Sequence, residues 1–152
     1  MTRRSSVDRA GGLRVLRVVA AAALVVSAYV HVDLARRVYG FSAEQLTVGD
    51  LFLAQAGAAT SAALALLLRP GWLTWALAAL VGFGSLAPLV LTVYVAVPAV
   101  GPFPAIYEPG WYPAKTAAAV AAGLAGAAGT AGLLLTRRPT GRATATTRRA
   151  AA

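Results

Sequence analysis

The side chains best suited to chemistry cluster in the stretch AYVHVDLARRVYGF, residues 28–41. It holds the chain's single histidine, His31, with Tyr29 just ahead of it and Asp33, Arg36 and Arg37 just after. An imidazole gains and loses a proton near neutral pH, so a histidine close to a carboxylate suits proton exchange. Helical geometry separates the two here, because residues two apart point away from each other and His31 and Asp33 form no dyad. Tyr29 and Asp33, one turn apart, share a face. Asp33 also precedes Arg36 and Arg37 in the acid-first order that favours helical ion pairs. A metal site needs about four donors, and one histidine with scattered carboxylates does not supply them. A haem held by two histidines of one subunit is excluded, and the lack of cysteine excludes dithiol redox chemistry and thiolate-bound clusters. No residue set has the pattern of a catalytic centre, and no motif specifies a cofactor.

The elements that position this cluster follow from composition. Of 152 residues, 59% are AVILMFWYC and 12% are charged. The apolar residues come in long blocks rather than amphipathic periods. A bilayer core of about 30 Å takes about 20 helical residues. Four blocks reach that length: 18–35, 51–68, 73–97 and 116–136. They are continuous and rich in Ala and Leu, unlike the alternating segments of a membrane barrel. An all-α integral membrane protein, a four-helix bundle spanning residues 16–136, is therefore expected.

Charge orients the bundle. Of the 14 basic residues, all but Arg36, Arg37 and Lys115 flank one end of the spans, in the two tails and at Arg69. Every acid except Asp8 lies at the other end. The positive-inside rule then makes both termini cytoplasmic. The net charge of +9 reads as a topology and lipid-headgroup signal. No basic stretch is interleaved with aromatics as nucleic-acid binding needs. Residues 1–15 and 137–152 are expected to be disordered basic tails, because they offer little to bury against the entropy of ordering. Val26-Ser27-Ala28 is an acceptable signal cleavage site, but the apolar run continues past it and the reading is a retained anchor.

The connections carry their own signals. Arg69-Pro70-Gly71-Trp72 forces spans 2 and 3 into an antiparallel hairpin. Trp72 and Trp75 are then expected at interfacial depth. Ser42 and Gln45 have capping-box spacing ahead of a short interfacial helix, and Thr47 with Asp50 repeats the device at span 2. Residues 97–115 hold five prolines together with Phe103, Tyr107, Trp111 and Tyr112, a rigid aromatic segment read as a headgroup anchor rather than a lid. Gly82, Gly84 and Pro88 point to a kink in span 3. Gly123, Gly126, Gly129 and Gly132 in span 4 point to tight packing within the bundle.

With both ends inside, His31 and Asp33 fall at the outer end of span 1, level with Asp50 and Gln55 on span 2 and Lys115 on span 4. Polar residues at that depth normally face the bundle interior or water. His31, Asp33, Gln55, Lys115 and Tyr29 are the ligand-binding candidates, while Ser42, Gln45, Thr47 and Asp50 have structural explanations as caps. Two functions fit this layer. The favoured one is a non-enzymatic accessory or assembly subunit, with a membrane-protein partner or a second copy beside the lipid bilayer. The other is a redox component or carrier binding a quinone, lipid or solute in an outer polar pocket.

The run HVDLARRVYGF followed by TVGDLFLAQAGAA resembles small four-span membrane proteins of high-GC Gram-positive bacteria. In these a histidine-bearing end of span 1 leads through a short loop into an LFLxQ-type start of span 2. Where that family more often has a second histidine, this chain has Asp33. The architecture is also loosely similar to DoxX-like four-helix membrane proteins, which are associated with respiratory or redox partners. The resemblance implies the fold and a bacterial plasma-membrane location, and it brings no catalytic residues.

Overall fold

The computed structural model describes residues 2–39, 41–42 and 45–137. Its elements are α1 (Thr2–Leu34), a π-helical turn (Ala35–Tyr39), α2 (Val48–Leu68), α3 (Trp72–Tyr94) and α4 (Pro113–Thr136). No strand occurs among the described residues. Four helical segments, Ala10–Arg37, Val48–Leu68, Trp72–Tyr94 and Pro113–Thr136, are long and apolar enough to cross a membrane. The all-α four-helix architecture is as expected.

The four successive helices put the start of α1, the α2–α3 turn and the end of α4 at one end of the bundle, the tail end. The other two connections lie at the opposite, loop end. Local chemistry sets the helix boundaries. At the start of α2 the Asp50 N–H donates to Thr47 Oγ1 (3.2 Å) and the Thr47 N–H donates to Asp50 Oδ2 (2.8 Å), a reciprocal capping box. The Gly71 N–H donates to Thr74 Oγ1 (3.0 Å) as α3 begins. Pro113 opens α4, where its missing N–H costs nothing.

Several expectations need correction. Helix α1 begins at Thr2 and runs through residues expected to form a tail; extending an existing helix is far cheaper than nucleating one. Only Arg137 of the expected C-terminal tail is within the described residues. Helix α3 ends at Tyr94, because Val97 pairs with Ile106 across the following loop, each N–H donating to the other's carbonyl at 3.0 Å. Between Tyr39 and Val48 no described residue is helical, so the interfacial helix expected after Ser42 is not seen there; residues 43 and 44 of its capping box lie outside the described residues.

Helix α1 buries Ala20, Leu24, Ser27, His31 and Leu34, a stripe repeating every three to four residues. Helices α3 and α4 form the most intimate pair. A Cβ at Gly82 would overlap the backbone of Gly126, and one at Gly129 would overlap the backbone of Ala79. Gly132 lies against the ring of Trp75. Trp75 is therefore a core residue, 2% exposed, and not a member of an interfacial belt. Trp72 is half exposed, with the Arg137 guanidinium 5.1 Å from its ring centre.

Because the Gly82 contact is backbone on backbone, Gly82→Ala should destabilise the detergent-solubilised protein by about 1–3 kcal/mol. Gly123→Ala, whose new Cβ would meet only the Leu86 side chain at 3.8 Å, should be neutral or stabilising by up to about 1 kcal/mol. Thermal unfolding followed by circular dichroism distinguishes the two.

Candidate functional site

At the loop end the bundle holds a partly open cavity of about 180 Å³. Helix α1 contributes His31, α2 contributes Val48, Leu51, Phe52 and Gln55, and α3 contributes Gly84, Ser85, Pro88, Leu89 and Thr92. The π-helical turn supplies Tyr39, and the α3–α4 loop supplies Ile106 and Glu108.

The buried stripe of α1 carries His31 inward, leaving it 3% exposed. Its Nδ1 lies 2.7 Å from the carbonyl oxygen of Ser27, one turn back. A carbonyl only accepts, so Nδ1 carries the proton, and when the ring is neutral Nε2 is the acceptor. Nε2 faces the Ser85 hydroxyl at 3.5 Å, at the outer limit of a hydrogen bond. Phe52 packs edge-on against both rings, with centroids 5.1 Å from His31 and 4.9 Å from Tyr39.

Glu108 roofs the cavity and is held from four directions. Its N–H donates to the carbonyl of Thr92 at the end of α3 (2.9 Å). Tyr39 and Tyr112 donate their hydroxyls to its Oε1, the latter at 3.1 Å. Lys115 Nζ donates to its Oε2 (3.1 Å) and to its own carbonyl oxygen (2.9 Å). The Lys115 side chain is fully buried, so Glu108 is the carboxylate that its ammonium requires. Burial alone would raise the Glu108 pKa, but the hydrogen bonds from Tyr39 and Lys115, the charge of Lys115 and the bond from Tyr112 together outweigh it and hold the pKa low. Burial, reinforced by the bond to Glu108, pushes the Tyr39 phenol well above its ordinary value. Tyr112 is also raised, by burial first.

Of the sequence candidates, His31 and Gln55 line the cavity, and Lys115 acts on it through Glu108. Asp33 and Tyr29 stay outside. Asp33 accepts from Arg37 Nε (2.5 Å) in an exposed i,i+4 pair, and Tyr29 is 69% exposed. Each is two positions from His31, which rotates it off the buried stripe. The Thr47–Asp50 cap is present, with the two side chains also bonded (2.7 Å). Ser42 and Gln45 are exposed at the loop end. Among the described residues no group of three or more potential ligands could hold a metal.

Sequence reasoning did not single out Tyr39, Ser85 or Glu108. Elimination narrows the partner of a lysine near the top of span 4 to Glu44 or Glu108, since Asp33 has Arg37 at i+4 and Asp50 has Thr47. The aromatic loop does more than anchor. A tight turn at Val100–Phe103, with Gly101 at φ 57°, doubles it back so that Ile106 and Glu108 cover the cavity while Phe103, Tyr107 and Trp111 stay exposed.

No family model, curated protein or solved structure matches this chain.

Removing one member of a buried ion pair costs about 3–5 kcal/mol, and the 28% exposure of the Glu108 side chain brings the expectation for Glu108→Gln to about 2–3 kcal/mol. Because the folded pKa of Glu108 is depressed, its contribution is complete above the ordinary glutamate value of 4.5 and is lost as pH falls through the lower folded value. Thermal melts from neutral to acid pH should show this loss in the parent protein and a flatter profile in Glu108→Gln; parallel profiles would contradict it.

Proposed function

We propose that this chain is a multi-pass protein of the bacterial plasma membrane, with both termini cytoplasmic, that binds a small ligand in its loop-end cavity. The observation carrying this reading is the space beside buried His31 and Ser85, whose facing polar atoms stand 3.5 Å apart. Protein interiors pack at near-crystalline density, and buried polar atoms find close partners. A bundle with no use for this space would close it over His31. The basic tails and Arg69 at one end, against Glu108 at the other, support the orientation. The resemblance of HVDLARRVYGF and TVGDLFLAQAGAA to small four-span proteins agrees with this reading, since the histidine, tyrosine and glutamine of those runs all line the cavity.

The groups present bind and orient rather than attack. Nδ1 of His31 is held by Ser27, so the ring meets a ligand only through Nε2 and can exchange a proton only there. The accessory-subunit reading has one observation in its favour, an open apolar groove between α1 and α4 lined by residues such as Val19, Val26, Val120 and Leu124. Lipid chains fill such a groove as readily as a partner does, whereas the loop-end cavity sets His31, Ser85 and Gln55 among its apolar walls.

Native mass spectrometry of the protein extracted in mild detergent from its own membranes tests the proposal. The expected result is a reproducible adduct of small-molecule mass, lost in His31→Leu while the variant still unfolds cooperatively. A protein partner with no adduct would replace the proposal with the accessory role.

A further inference from the structure

The hydrogen-bonding character of the cavity is one-sided, and that narrows the ligand. Most of its donors are committed, the Ser85 hydroxyl and the second N–H of the Gln55 amide being the ones left. Tyr39 donates to Glu108, Thr92 donates to the carbonyl of Pro88 (2.8 Å), and the Gln55 amide nitrogen donates to the carbonyl of Val81 (3.4 Å). Its acceptors are the groups left over. Nε2 of His31 has only the distant Ser85 hydroxyl. Pro88 lacks the N–H that would have bonded the Gly84 carbonyl one turn earlier, and carbonyls of α3 point toward the loop end, where Gly84 and Pro88 both line the cavity. The amide oxygen of Gln55 adds a third acceptor.

The route in is also defined. Among neighbouring helices α2 and α3 pack least closely, although a short turn joins them. The cavity lies in this seam, and Gly84 and Pro88 are exposed along it. A Cβ added to Gly84 would meet nothing within 4 Å, so the seam is open on the lipid side at that point. The roof is closed by Glu108 and its four partners, which leaves the bilayer as the direct approach.

We infer that the cavity takes a neutral, lipid-soluble phenol, an aromatic ring whose hydroxyl donates to His31 Nε2, reaching its site from the membrane through the α2–α3 seam. The inference rests on the cavity being a ligand site and adds its chemistry. A volume of about 180 Å³ suits one substituted ring, since a cavity of about 150 Å³ in another protein holds benzene. Phe52 supplies an aromatic wall beside both His31 and Tyr39. A ligand offering only acceptors would leave Nε2 with only the distant Ser85 hydroxyl and the Gly84 carbonyl without the donor that Pro88 lacks.

The test is fluorine NMR of the full-length protein in lipid nanodiscs, titrated with para-trifluoromethylphenol and with its methyl ether, para-trifluoromethylanisole. Both partition into lipid, and only the phenol donates. The phenol should bind at least about tenfold more tightly than the ether. Gly84→Leu, which fills the seam at an open helical position, should weaken the phenol by a similar factor. His31→Phe should bring the phenol down to the affinity of the ether. If that variant does not fold, Gly84→Leu and the ether comparison still decide. Equal binding of the two compounds to the parent protein would overturn the donor inference and leave the cavity standing as a ligand site. Binding of neither would overturn the inference, with the cavity then judged by the adduct carried from native membranes. Phenol binding unchanged in Gly84→Leu would overturn the lateral route.

Discussion

A fully buried ammonium has to meet a carboxylate, and at the loop end of this bundle Lys115 meets Glu108. The pair reaches across six intervening residues that include Pro109 and Pro113, which break the helix between them, so it must be made by folding the loop inward. Once Glu108 is there, its remaining lone pairs and its N–H gather Tyr39 from the end of α1, Tyr112 from the start of α4 and the last turn of α3. The π-helical turn at Ala35–Tyr39 belongs to the same arrangement, because an irregular turn re-aims Tyr39 toward the loop. Four separate pieces of backbone thus close over one carboxylate, and the space beneath them is the cavity.

Packing at the opposite flank explains why that space lies between α2 and α3. Lipid gives helices no hydrophobic reason to associate, so close approach depends on small residues. Gly82, Gly126, Gly129 and Gly132 provide it for α3 and α4, bringing backbone onto backbone and Trp75 onto a glycine. Helix α3 is drawn toward α4, and its other flank, with Gly84, Ser85 and Pro88, stands off from α2. The glycines on one side of α3 and the proline on the other have opposite effects, one closing a seam and the other leaving a carbonyl without its helical donor.

Much of this was legible from sequence because it depends on local rules. Span lengths, the hairpin at Arg69–Trp72, the Thr47–Asp50 box and the Asp33–Arg37 pair all rest on spacing within one helix or turn. His31 and Gln55 could be singled out as polar residues in apolar runs. Their company could not, since Glu108 sits 77 positions from His31 in a loop whose prolines suggest a rigid anchor and hide the inward fold. Trp75 was misplaced for a related reason. An aromatic near a span end suits the interface, unless a glycine on another helix makes room for it, and Gly132 does. Asp33 and Tyr29, the most conspicuous polar neighbours of His31, lie outside the cavity because the helix turns them away. Proximity along the chain was a poorer guide than the buried stripe of α1.

An experimental structure of the protein crystallised in lipid after extraction from its own membranes would test the central claim, that the loop-end cavity is built to hold a molecule. The expected map shows density not belonging to the chain beneath Glu108, within hydrogen-bonding distance of His31 Nε2. A map in which Phe52 and Leu89 close over that space, with Ser85 bonded at ordinary length to His31, would contradict it.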